Sequence, residues 1–352
     1  LAKYALVSFA IIPTIYITLL FKKPTASYIS CVVLMSLTII HGTDSSPFGF
    51  AYNRVVETII GILVSLAVNV AQLPRRRQKD LLLVTGLDGS LVGEDGKMGG
   101  YTHMELNHLI ADGAAITIAT ERTPASLLSV LGDVKLNLPV IAMDGAVIFD
   151  TNEKRYLRCE AIPEEYARKI YHLFEKEDKH CFVNIVLEDV LLIFYGNFRN
   201  DVEKKLYMDM RRSPYRNYVY GELPEEGEVV YFLFVDTIEE AEKMEKRIKQ
   251  EPYAQELLFL KDTSETPQGY CHLKIYYKNA TKQFMVARLR EHLGFTKTVA
   301  FGSNKNDIQM LRCADLSIAM KQSIEQAKEV SDYVLKRQDL DTVAKTMRQI
   351  YE

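Results

Sequence analysis

Cysteine is sparse in this chain of 352 residues, and its pattern is unpaired. Cys31, Cys159, Cys181, Cys271 and Cys313 show no CxxC spacing, which argues against a disulfide framework or a zinc site. Scattered, reduced core cysteines are the expectation. Surplus charge is missing too: the formal net charge is -3, which argues against a dedicated nucleic-acid binder. No small-residue cleavage site follows the first apolar run, so a cleaved signal peptide is disfavoured. The chain begins at Leu1 rather than Met. An upstream continuation with further membrane segments is expected from that.

Apolar residues are plentiful but unevenly spread, and residues 1–73 hold far more than their share. Ala5–Phe21 carries no charge and ends at Lys22-Lys23-Pro24. Tyr28–Ile40 is a shorter run. Val55–Leu73 is a third, followed by Arg75-Arg76-Arg77-Gln78-Lys79. A helix of about 20 such residues spans a bilayer, and basic clusters mark cytoplasmic ends. Residues 1–74 are therefore predicted to be α-helical transmembrane segments. The expected location is the cell (inner or plasma) membrane, multi-pass, with His41–Tyr52 outside and everything after Lys79 cytoplasmic. A lipid bilayer is the implied partner, and assembly through the membrane helices is a second expectation. Arg54 and Glu57, three residues apart, fall on one helix face and can pair. They read as an interfacial anchor or as a polar element of a transport path. The stretch RVVETIIGILVSLAVNV is similar to the last membrane helix of aromatic acid exporter and fusaric-acid-resistance-like proteins.

From Asp80 the pattern changes. LLLVTGL reads as a strand. THMELNHLIADG reads as a helix with Leu106, Leu109 and Ile110 on one face and Gly113 as its stop. AAITIAT is a strand, TPASLLSVLGDV a helix opening at Thr123-Pro124, and PVIAMDGAVIFD two strands around a glycine turn. This βαβα succession predicts a parallel, doubly wound sheet. Ligands bind such sheets at the carboxyl ends of the strands, where Asp88, Thr120 and Asp144 stand. Residues 158–270 mix helices with antiparallel-looking strands and read as an inserted α+β cap. The core, first met over 75–157, resumes over 271–352 with CHLKIYY, a helix from Thr281, the strand TVAFG and a helix from Asn306.

Four ordered motifs resemble those of Cof-type haloacid dehalogenase-like phosphatases. They are GLDGS at Gly86–Ser90, ATER at Ala119–Arg122, Lys282 at a helix start, and GSNKND at Gly302–Asp307. The resemblance implies a Rossmannoid core with an inserted cap, a small phosphorylated metabolite as ligand and Mg2+ as cofactor. It assigns catalytic roles to Asp88, Thr120, Lys282 and Asp307, and phosphate binding to Thr120, Arg122 and Lys282. Asp88, Asp307 and Asn306 are what remains of the metal site.

Two positions depart from the family together. Gly86 stands where the family has its nucleophilic Asp, and Ser303 stands where it has a metal-ligating Asp. Magnesium prefers hard oxygen ligands, usually carboxylates, and both direct side-chain carboxylates are gone. Glu121 replaces a glycine beside the phosphate seat, where a carboxylate repels an anion. The expectation is a membrane-anchored, catalytically impaired phosphatase fold that binds a phosphorylated ligand or regulates. One alternative is an active, divergent phosphatase in which Asp88 serves as general base. The other is an accessory domain of an exporter.

Overall fold

The computed structural model describes residues 8–16, 30–32, 34–35, 47–70, 78–93, 95–212, 216–263, 266–336, 339 and 341–352. They fall into two units that divide after residue 76.

The main element of the first unit is helix α1 (Pro47–Val70). Arg54 Nη1 and Glu57 Oε2 meet at 3.2 Å on it, both exposed, and such surface pairs contribute at most about 1 kcal/mol. The predicted multi-pass membrane region is corrected here. Among the described residues no helix is long and apolar enough to cross a membrane. Helix α1 carries Arg54 and Glu57 within its 24 residues, and a span needs about 20 apolar residues. The grounds for a lipid partner and for assembly through membrane helices go with it. Lys22-Lys23, most of Tyr28–Ile40 and Arg75–Arg77 lie outside the described residues.

The second unit begins with β1 (Leu81–Thr85), α2 (Gly100–Ala111), β2 (Ala115–Ile118), α3 (Pro124–Leu131), β3 (Val140–Ala142), β4 (Val147–Asp150) and β5 (Arg155–Cys159). Next come α4 (Glu164–Lys176), β6 (Phe182–Leu187), β7 (Val190–Tyr195), α5 (Asp201–Met210), β8 (Asn217–Tyr220), β9 (Glu228–Thr237), α6 (Ile238–Ile248), β10 (Leu257–Asp262) and β11 (Tyr270–Tyr277). The chain closes with α7 (Lys282–Leu293), β12 (Lys297–Gly302), α8 (Ile308–Cys313), β13 (Leu316–Ala319), α9 (Glu325–Glu329), β14 (Tyr333–Val334) and α10 (Asp341–Tyr351).

The core is a parallel sheet in the order β14-β13-β12-β1-β2. The interior position of β1 explains the unbroken apolar run of Leu81–Val84. Leu81 and Leu83 pack with Leu106, Leu109, Ile116 and Ile118 on one face. Leu82 and Val84 pack with Met285, Leu289, Ala300 and Met310 on the other. A strand covered on both faces has no solvent side on which polar residues could alternate. Each such side chain contributes roughly 1.5–3 kcal/mol by burial. A parallel bridge between Ala119 and Ile141 hangs β3 on the edge beyond β2, and β3, β4 and β5 form an antiparallel ribbon.

Between β5 and α7 the chain builds a second sheet, β10-β11-β9-β6-β7-β8, antiparallel except for the β7–β8 pair. Its helices α4 and α6 cover one face, where Ile170, Phe174, Met244 and Ile248 meet Phe232, Phe234, Leu273 and Ile275. The opposite face lies on the β3–β4 turn: Val230, Tyr231 and Tyr276 pack against Met143, Ala146 and Val147. One expected assignment fails. CHLKIYY is not a core strand but β11, paired with β9 and β10 of the inserted sheet. It is apolar on alternate residues for the helical layer and carries Lys274 and Tyr276 on the other side.

The β3–β4 turn is the hinge of this arrangement. Met143, Asp144 and Gly145 all have positive φ. A Cβ on Gly145 would stand 2.1 Å from the Thr281 carbonyl carbon, so only glycine lets the turn touch the start of α7. Gly145→Ala is therefore expected to lower unfolding stability by about 3 kcal/mol or more. Urea denaturation of the variant against the parent chain measures it.

Candidate functional site

Three loops leave the carboxyl ends of β1, β2 and β12 side by side, and the β3–β4 turn closes the group. In the first, Leu91 and Val92 N–H groups return to the Leu87 carbonyl at 2.9 and 3.0 Å, with Gly89 at φ +71°. This tight turn presents Asp88. Asp88 does not point into open space. Arg122 grips it with both arms, Nε to Oδ2 at 2.9 Å and Nη2 to Oδ1 at 2.5 Å. Such a fork is among the strong charge-assisted arrangements.

The fourth-motif loop is tied to Asp88 from the other side. The Ser303 hydroxyl donates to the Asp88 carbonyl oxygen at 2.8 Å. Asp307 then fastens its own loop, accepting from the Ser303 and Asn304 backbone N–H groups at 2.8 and 3.2 Å. Its other oxygen accepts from Lys282 Nζ at 2.7 Å, and both side chains are buried, 3% and 0% exposed. Lys282 is the first residue of α7, whose N-cap Thr281 accepts from the Phe284 N–H. Burial acts to lower the Lys282 pKa, but the Asp307 and Asp144 charges outweigh it and hold it above the usual lysine range.

Gly86 sits beneath this pair. A Cβ there would lie 3.1 Å from Asp307 Oδ2 and 3.2 Å from Ser90 Oγ. The buried Ser90 hydroxyl has no hydrogen-bond partner among the described residues. There is room for a side chain if neighbours yield by a few tenths of an ångström, but a carboxylate there would face Asp307 directly.

Thr120 ends the second loop. Its Oγ1 accepts from the Arg122 N–H at 3.1 Å, and its carbonyl accepts from the Asp144 N–H at 3.1 Å. That contact, with Met143 N–H to the Arg122 carbonyl at 3.0 Å, fixes the β3–β4 turn against the loop. Asp144 is buried and heavily bonded: Lys274 Nζ, Tyr276 OH and Asn306 Nδ2 each donate to it at 3.0 Å. Burial pushes its carboxyl up, but the Lys274 and Lys282 charges and these bonds outweigh it, and it lies below the usual aspartate range. Asn306 Nδ2 also reaches Glu121 Oε2 at 3.3 Å. Burial, and then the Asp144 charge, raise the Glu121 carboxyl above its ordinary value.

So the structure brings Asp88, Thr120, Arg122, Lys282, Asn306 and Asp307 together with Gly86 and Ser303. Sequence reasoning did not find Lys274 and Tyr276, which arrive from the inserted sheet about 130 residues away from Asp144. Nothing local in CHLKIYY marks them.

The donor set does not fit magnesium. Asn306 and Asp307, the side chains expected to help hold it, are spent on protein partners, and Ser303 covers the Asp88 carbonyl. Among the described residues no group of three or more His, Cys, Asp or Glu side chains is placed to hold a metal ion. Magnesium needs several oxygen ligands, usually with carboxylates among them.

The family model for haloacid dehalogenase-like hydrolases matches residues 83–347. The chain belongs to that family. It is similar to 5-amino-6-(5-phospho-D-ribitylamino)uracil phosphatase YitU of Bacillus subtilis, 21% identical over 277 residues, 78% of this chain and 98% of that protein. Among solved structures it resembles TM0651 from Thermotoga maritima, with TM-score 0.62, 23% identity and coverage of 77% and 97% of the two chains. It also resembles the subclass IIB sugar phosphatase BT4131, with TM-score 0.59, 28% identity and coverage of 76% and 98%. Neither the expected likeness to a membrane exporter nor the accessory-domain expectation finds support in these comparisons.

The charged network is predicted to set a specific pH signature. Lys274 and Lys282 are held above the usual lysine range, so their contribution is present below about pH 10 and is lost as pH rises through their folded pKa values. Asp144 is held low, so its contribution is present above about pH 4 and is lost as pH falls through its folded value. Glu121 runs the opposite way: its raised pKa makes the ionised form a liability in the fold at neutral pH. Glu121→Gln is expected to raise the melting temperature at pH 7, with the gain fading toward pH 4. Thermal melts across that range check it.

Proposed function

We propose that residues 77–352 form a haloacid dehalogenase-like domain that binds a small phosphorylated metabolite and does not run the aspartyl-phosphate reaction. The observation that carries this is Gly86 at the nucleophile position together with the Ser303 hydroxyl on the Asp88 carbonyl. Covalent catalysis needs a nucleophile beside its activating group, and none of the side chains around Gly86 supplies a free carboxylate. Phosphate recognition is better provided for. The Thr120 hydroxyl, the Arg122 guanidinium and Lys282 at a helix N-terminus are the groups that accept a phosphate. A regulatory or ligand-sensing role follows from binding without turnover.

A second reading has its own support. YitU and BT4131 carry phosphatase names, and Asp88, Thr120, Lys282 and Asp307 are all retained. Asp88, released from Arg122, would then act as general base on a water while Thr120 and Lys282 hold the phosphate.

One experiment separates the two. Phosphate release by the full chain is measured with magnesium over sugar and nucleotide phosphates, and inorganic phosphate binding is measured by calorimetry. Binding without turnover expects a silent parent chain. Asp88→Asn, which removes the carboxylate that competes for Arg122, should then bind phosphate about tenfold more tightly. The double variant Gly86→Asp/Ser303→Asp should gain magnesium-dependent release. Turnover by the parent chain that Asp88→Asn abolishes establishes the phosphatase reading instead.

A further inference from the structure

A cleft of about 280 Å³ opens between the core loops and the inserted sheet. Its walls include Glu121, Asp144 and Asn306 from the core, and Phe259, Asp262 and Lys274 from β10 and β11. We propose that this cleft selects phosphorylated small molecules that carry a cationic amine, with Glu121 as the residue that selects them. The inference rests on the phosphate-binding reading above and names the class of ligand whose body would extend from the phosphate seat into this adjoining cleft.

The balance of charge in the cleft supports it. Lys274 is committed to Asp144 at 3.0 Å, and Lys282 to Asp307 at 2.7 Å. Lys261 is drawn outward to Glu245 at 3.0 Å. Lys305 is an exposed rim residue. Glu121 faces a different situation. It is partly buried and accepts from the neutral Asn306 amide at 3.3 Å. The carboxylates of Asp144 and Asp262 line the same cleft, which leaves an excess of negative charge beside Glu121 once Lys274 and Lys261 are committed. An ammonium group is the partner that relieves it, because opposite charges at short range in a partly desolvated site attract strongly. A second anionic group on a ligand would be repelled.

The spacing suits one small molecule. Glu121 follows Thr120 directly, so the amine seat adjoins the phosphate seat. Leu260, on the core-facing side of the inserted sheet, supplies an apolar wall for the carbon skeleton, and 280 Å³ accommodates a hexose-sized body. Glu121 is thus a specificity residue. It does not hold the phosphate and takes no part in chemistry at phosphorus.

The test compares two near-isosteric ligands, D-glucosamine 6-phosphate and D-glucose 6-phosphate, by calorimetry on the full chain at pH 7 and low salt. Inorganic phosphate is the reference. The amino sugar phosphate is expected to bind about tenfold more tightly. Glu121→Gln should bring the two sugar phosphates level, while inorganic phosphate binds the variant at least as well as the parent. Equal affinities on the parent chain overturn the inference, as does a preference that survives Glu121→Gln. If inorganic phosphate binds but no amine preference exists, only this inference falls. If neither sugar phosphate nor inorganic phosphate binds, the phosphate-binding reading falls first and this one with it.

Discussion

Everything at the carboxyl end of the parallel sheet leans on one buried ion pair, Lys282 with Asp307. The lysine starts a helix of one half of the core, and the aspartate caps the loop after β12 by accepting the Ser303 and Asn304 N–H groups. Burying either charge alone is prohibitive, while the pair is tolerated because the charges offset one another and the carboxylate gains further donors. The Asp307 carboxylate has three donors and both its oxygens are used. That saturation fixes the shape of the loop at which the family resemblance places a metal ion. It also removes Asp307 from the pool of groups that could bind one.

The Ser303 hydroxyl completes the substitution. In the pattern this family implies, a cation would draw the β1 loop and the β12 loop together through oxygen atoms. Here a single donated hydrogen bond to the Asp88 carbonyl joins the same two loops. A hydrogen bond contributes only about 1 kcal/mol net, far less than a bound divalent ion can. Yet it needs no ion and leaves no unsatisfied carboxylate behind. The simultaneous loss of carboxylates at positions 86 and 303 makes physical sense on this basis. Without the cation, an Asp at 86 would sit against Asp307 with nothing to separate two like charges.

Much of this was legible in the sequence, for local reasons. The doubly covered β1 announces itself as four consecutive apolar residues. The Thr123-Pro124 opening of α3 is a cap with proline at the first helical position, and Thr123 does accept from Ser126. Lys282 follows the cap Thr281 in the same way. What could not be read was of two kinds. CHLKIYY is apolar enough for either sheet, and strand periodicity does not name the partner strand, so its place beside β9 appears only in three dimensions. The Lys274 and Tyr276 bonds to Asp144 join residues that only the packing of the inserted sheet on the β3–β4 turn brings together. The N-terminal apolar runs misled for a related reason: composition signals a span, but length and placement of charge decide one.

The three cation–carboxylate pairs are not equivalent, and the difference says where a ligand enters. The pairs differ in how readily a phosphate dianion could part them, and Lys282 can keep Asp307 while offering a phosphate its remaining N–H donors. Lys282–Asp307 is sealed, and Asp144 is 2% exposed with further donors. Opening either would strand a charge in a dry interior at a cost of several kcal/mol. Arg122–Asp88 is different, 25% and 32% exposed, so water can solvate Asp88 as it leaves. Arg122 is also the cation nearest in the chain to Thr120. The residue that a phosphatase would use to move a proton is therefore, in this chain, the residue that must yield before Arg122 can turn to a phosphate. On the binding reading proposed above, its release would couple the occupancy of the site to the β1 loop through the backbone carbonyl that Ser303 holds.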